Sequence, residues 1–241
     1  MKKGAHLKKL AVSTIVVLIV LFGLTVAAKA TLITYELGGV FSGASPTSPI
    51  PWLTASFNDN GGSGSVTLTL TAGLEVSSEF ISQVVFNVAP AFDPSDLTIT
   101  QATGSPTNTG IVNTNQDKQK VDGDAGKGFD VLINFPSANT GARFDNSDVL
   151  TFTITGSDIT ASSFAYLSTG SSPNYVAAHV QGIPLDGGGT TSGFVGTVPI
   201  PPAVWLLGSG LLGLIGIRRR LVGIANGKRK MKGDKCNGIR S

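Results

Sequence analysis

Val66-Thr67-Leu68-Thr69-Leu70-Thr71 alternates an aliphatic with a hydroxyl side chain through three full periods. Successive side chains of an extended chain point to opposite faces, so Val66, Leu68 and Leu70 share one face and the threonines the other. That is a half-buried β-strand. Comparable runs occupy residues 33–37, 53–57, 83–88, 97–100, 129–135, 150–155, 164–167 and 175–180. Gly, Asn, Asp and Pro collect between them, as in Asp59-Asn60-Gly61-Gly62 and residues 89–94, which are turn residues for steric and hydrogen-bonding reasons. Short strands at short spacing, with no amphipathic helix among them, predict a mainly β domain. The expected architecture is an antiparallel β-sandwich, jelly-roll-like or Ig-like, over residues 31–182. One short helical turn is expected at residues 161–164. Residues 101–125 read as a long polar loop. Residues 183–197, with Gly187-Gly188-Gly189, read as a Gly-rich linker of coil-like reach.

The chain has 241 residues, 14% charged residues, one Cys and two His. One cysteine forms no intrachain disulfide, and a zinc site of the Cys/His type needs three or four ligands. No cofactor is expected. Charge divides sharply by segment. Residues 1–30 carry five lysines and no acid; residues 31–197 carry Lys118, Lys120, Lys127 and Arg143 against 14 acids; residues 198–241 carry nine basic residues and Asp234. Binding to nucleic acid requires a clustered positive face on the folded part, because affinity comes from neutralising phosphates. The acidic middle excludes it, and the basic ends require another explanation.

At the amino end, Lys2, Lys3, Lys8 and Lys9 precede an uncharged apolar run over residues 10–28, and Ala28-Lys29-Ala30 places small residues three positions apart. These are the three parts of a secretory signal peptide, a helix cleaved after Ala30. Its positive part stays cytoplasmic, so the chain beyond Ala30 is translocated. At the other end, Pro199, Pro201 and Pro202 interrupt regular helix before an apolar stretch over residues 203–217, closed by Arg218, Arg219 and Arg220. Counted from Val198, about 20 helical residues rise about 30 Å, the thickness of a bilayer's hydrocarbon core. This predicts a C-terminal transmembrane helix with its arginines inside and the β domain outside. Gly208, Gly210, Gly213 and Gly216 permit close helix approach.

The order Val-Pro-x-Pro, then Trp-Leu-Leu-Gly-Ser-Gly-Leu-Leu-Gly-Leu, then an arginine cluster resembles the PEP-CTERM sorting signal of exopolysaccharide-producing Gram-negative bacteria. The resemblance covers residues 198–220. It implies export by the Sec machinery, removal of the leader by signal peptidase, retention in the inner membrane, and processing of the tail by exosortase, a membrane-embedded cysteine transpeptidase-like enzyme. Val198, Pro199 and Pro201 match the recognition motif, and Arg218, Arg219 and Arg220 the cytoplasmic cluster. Ile200 stands where the family's namesake has Glu, as in the VPLP-type variant. Residues 221–241, with Cys236 and six further basic residues, extend past the point where such chains normally stop; they read as a basic cytoplasmic tail able to adhere to anionic lipid. The resemblance thus implies a cell-surface or extracellular-matrix protein in contact with extracellular polysaccharide.

Within the middle segment no catalytic residues are assigned. Asp122, Asp124 and Asp130, around three glycines with Asp117 upstream, offer oxygen ligands for calcium. Their spacing departs from a calcium loop with a terminal bidentate Glu, so the expectation is an acidic, solvated turn and no metal. Gly126-Lys127 lacks the following Ser or Thr of a phosphate loop. A Ser/His/Asp set in this segment would depend on His179, which lies in an apparent strand, and no G-x-S-x-G element occurs. Glu36, Glu75, Glu79 and 11 Asp supply carboxylates for glycoside hydrolysis without placing any pair. Trp52, Tyr35, Tyr166 and Tyr175 are candidates for a sugar-stacking platform, with core packing the competing role. The expected cargo is therefore non-enzymatic, with a carbohydrate- or calcium-binding module as the alternative.

Overall fold

A computed structural model describes residues 29–121, 127–138 and 142–197. Ten strands form it: β1 (Leu32–Gly43), β2 (Leu53–Asn58), β3 (Ser65–Ala72), β4 (Phe80–Phe86), β5 (Thr98–Thr103), β6 (Gly110–Val112), β7 (Val131–Asn134), β8 (Val149–Thr155), β9 (Val176–Pro184) and β10 (Thr190–Thr197). Two 3-10 turns, Pro94–Asp96 and Ala161–Phe164, are the only helical elements among the described residues. The expected turn at residues 161–164 is present. The expected strand at 164–167 is not: Phe164 closes that turn, and Tyr166 and Leu167 are exposed beyond it.

All ten strands belong to one antiparallel sheet, ordered β5-β8-β3-β2-β1-β10-β9-β4-β7-β6. Its two edge strands are consecutive in sequence, joined by residues 104–109, so the sheet curls round until its edges approach. Asn113 lies just past β6 on one edge. Its side-chain amide donates to the carbonyl oxygens of Pro94 and Leu97, which precede β5 on the other, at 2.7 and 2.8 Å. The result is a nearly closed, sandwich-like sheet with one interior, which removes most of the edge exposure an open sheet would carry.

Alternation builds that interior as the sequence predicts. Val66, Leu68 and Leu70 of β3 point inward with Leu150, Phe152 and Ile154 of β8, all fully buried. Phe57 is the hub of the aromatic packing, stacked on Phe164 at 4.7 Å and edge-on to Phe86 at 5.4 Å. The β2–β3 connection turns at Asn60 and Gly61, with φ of 51° and 80°, and the Gly62 amide donates to Asp59 O at 2.9 Å. Two successive positive φ values match the right-handed twist of the flanking strands.

The linker expected over residues 183–197 is instead sheet. β9 runs to Pro184 and β10 begins at Thr190, so Gly187-Gly188-Gly189 is the tip of a hairpin. Gly188 and Gly189 take φ of 85° and 83° there, which is why the tip is glycine-rich. β10 lies between β1 and β9, so this hairpin sits in the middle of the sheet rather than beyond it. The polar stretch 101–125 likewise holds the end of β5 and all of β6. Because β10 is antiparallel to β1, with Leu37 opposite Thr197, the chain enters and leaves the sheet at the same end. The expected signal peptide helix and the expected C-terminal transmembrane helix fall outside the described residues. Among those described, no helix is long and apolar enough to cross a membrane.

Candidate functional site

The outward faces of the two halves of the sheet differ in chemistry. On β1, β2, β3, β8 and β5 the outward positions form rows of hydroxyls: Thr34 pairs with Ser56, Ser56 with Thr69, Thr69 with Thr151 and Thr151 with Thr103. A parallel row runs through Asn58, Thr67, Thr153 and Thr100. Glu36 is the one charged residue in these five strands. Cross-strand threonine pairs stabilise a sheet and suit β backbone, so the rows serve the fold as well as the surface.

On β10, β9, β4 and β7 the register aligns a different row. Phe194 lies opposite His179, His179 opposite Gln83, and Gln83 opposite Asn134. The Phe194 and His179 rings stack at 4.3 Å and 12°. Gln83 Nε2 donates to Asn134 Oδ1 at 3.0 Å. All four side chains are half-buried. To one side of the row a small apolar cluster of Val85, Val121, Phe129 and Ala177 packs with Phe41, Leu132 and Phe194, so the chain around residues 121 and 129 covers that part of the face. To the other side lie two adjoining open hollows of about 610 and 460 Å³, which share Ser137 and Gln181. Arg143 closes the far rim, its guanidinium 4.0 Å from the centre of the Phe80 ring.

A bulge in β4 between Ile81 and Gln83 brings Ser82 beside this row. Ser82 Oγ is 3.1 Å from His179 Nδ1 and donates to the His179 carbonyl oxygen at 3.3 Å. With its hydroxyl proton on the carbonyl, Ser82 Oγ does not donate to Nδ1, the hydrogen bond that activates a serine nucleophile.

The sequence-derived candidates scatter. Ala30 is exposed just before β1. Ala28, Val198, Pro199, Pro201, Arg218, Arg219 and Arg220 lie outside the described residues, as do Asp122 and Asp124. Asp130 is buried, and both its oxygens are taken by the protein's own backbone: Val88 N at 2.9 Å and Asp117 N at 2.8 Å. Burial pushes its carboxyl above the usual range, against those two hydrogen bonds. It faces into the fold and ties Asp117 to Val88. Among the described residues no group of three or more His, Cys, Asp or Glu is placed to hold a metal.

The proposed aromatic platform is not assembled. Trp52 is in the core, its indole N–H donating to Ser48 O at 2.7 Å. Tyr35 stacks on Tyr175 at 5.0 Å and donates to Phe164 O at 3.2 Å. Desolvation, with Tyr175 alongside, pushes its pKa up to about 12. Tyr166 is exposed by itself. Of the glutamates, Glu36 and Glu75 are exposed and Glu79 is fully buried. Glu79 accepts from the amides and hydroxyls of Thr47 and Ser48 at 2.6 to 3.3 Å, which knots the β1–β2 and β3–β4 connections together.

No protein family's profile matches the chain, and no curated protein does. Among solved structures, one described as "pH-induced modulation of Streptococcus parasanguinis adhesion by Fap1 fimbriae" aligns over 70% of this chain and 95% of its own, at 12% identity and a TM-score of 0.22. That score is below the level of a shared fold, and it carries no conclusion about this chain.

Proposed function

We propose that this is an exported, non-catalytic cell-surface or exopolysaccharide-matrix protein, a jelly-roll-like or Ig-like sandwich delivered by its signal peptide. Its C-terminal PEP-CTERM-like segment anchors it transiently in the inner membrane until exosortase processes it. The observation that carries this reading is the order of segments in one chain. A leader ends at Ala30, a self-contained sheet occupies Leu32 to Thr197, and the Val198-Pro199-Ile200-Pro201 motif begins at the next residue. Entry and exit at one end of the sheet suit a domain tethered first through its leader and then through its tail. The uncharged hydroxyl rows on one half suit residence among hydrated polysaccharide, where neutral hydrogen-bonding groups meet sugar hydroxyls without ionic competition.

Replacing Arg218, Arg219 and Arg220 together by Gln tests the route. In a Gram-negative strain that makes exosortase, the variant's β domain should still reach the outside of the inner membrane, cleavable by protease added to spheroplasts, while retention or trimming is lost. A β domain protected from that protease in both forms overturns the proposal.

A further inference from the structure

We propose that His179, Gln83 and Asn134, with Gln181 beside them, bind a short stretch of a neutral polysaccharide chain lying across strands β9, β4 and β7. Three features point there. First, the three side chains stand opposite one another on consecutive strands. Two steps of strand spacing cover about 10 Å, the length of about two hexose units. Second, their groups are planar and neutral. Half-buried amides present a donor and an acceptor side by side, which matches adjacent hydroxyls on a sugar ring, and the stacked Phe194–His179 pair offers an apolar flank for the ring's C–H face. Third, the side chains are fixed before any ligand arrives. Gln83 is held by Asn134, so that pair loses little rotamer freedom on binding.

Phosphates or acidic peptides would call for a basic cluster, and Arg143 is the one charged residue among those lining the two hollows. The inference deepens the non-catalytic matrix reading and takes its ligand class from it.

Titration calorimetry on the full-length chain in mild detergent, with cellohexaose and mannohexaose as probes, tests it. Wild type should bind at least one of them saturably, the Gln83→Ala/Asn134→Ala double variant at least tenfold more weakly, and Glu75→Gln, exposed outside the two hollows, as wild type does. Should the double variant not fold, Gln181→Ala replaces it and should weaken binding severalfold. Absence of saturable binding of both probes overturns the proposal, as does binding that these variants leave unmoved. Binding without tail processing would retain this site and remove the sorting route; processing without binding would do the reverse.

Discussion

Glu79 shows at the residue scale why possession of a carboxylate says little about chemistry. It is fully buried, yet its oxygens meet two amides and two hydroxyls, so its charge is solvated by the protein's own backbone and side chains. Glu79→Ala leaves these donors facing a void and should cost about 3–5 kcal/mol in urea unfolding; an unchanged midpoint would contradict the knot between the two connections. Asp59 and Asp130 respond to pH with opposite signs. Asp59 accepts the amides of Thr31, Gly61 and Ala161, hydrogen bonds that hold its carboxyl below the ordinary value of 3.8, Thr31 first. Its contribution is complete above that value and fades as pH falls through the folded one. Desolvation raises Asp130 instead, so protonating it on mild acidification relieves a cost. Between pH 5 and pH 3, wild type should therefore lose more stability than Asp59→Asn in paired urea titrations. Equal losses would remove Asp59 from the acid limb. Gly182, with φ of 75° at the edge of the polar hollows, admits no side chain, because a Cβ there runs into the Ser78 carbonyl oxygen. Gly182→Ala should destabilise the sheet, lowering the urea midpoint, and distort the neighbouring hollow.

Among the elements, the most legible strands were those burying one face. β2, β3 and β8 alternate without interruption, and their inward residues form the core. Phe57→Ala, which removes the aromatic hub, should cost about 3–5 kcal/mol by the same urea assay. β10 was illegible for a physical reason. Thr190-Thr191-Ser192-Gly193-Phe194-Val195-Gly196-Thr197 carries two glycines and its large apolar residues side by side, because Val195 faces the interior while Phe194 packs on the outer cluster. Gly193 and Gly196 are where other chain segments press close, Ala44 against one and Asn174 against the other. Such a pattern reads as linker, and only its neighbours make it sheet. A fragment of residues 31–182 therefore lacks a central strand and should show no cooperative thermal transition by circular dichroism, whereas residues 31–197 should melt cooperatively. A cooperative melt from the shorter fragment would restore the linker. The Phe194–His179–Gln83–Asn134 row could not be read from sequence either. Its members stand up to 111 positions apart, and the β4 bulge shifts the phase that places Gln83 on the outer face.

For the whole molecule, the proposed route divides labour between a sheet that would contact its surroundings and two apolar ends that would move it. That proposal rests on charge segregation in the amino-acid order, with basic residues at the two ends and acidic ones in the middle. The curled sheet adds a domain whose first and last strands are neighbours, one hydroxyl-lined half and one half bearing the amide row. The most direct measurement is the intact mass of the protein recovered from envelope and medium of a strain with exosortase and of the same strain without it. Loss of residues 1–30 in both, with truncation near Val198 in the exosortase-bearing strain alone, is the predicted result. A full-length, water-soluble product recovered from the cytoplasm of either strain would contradict the account.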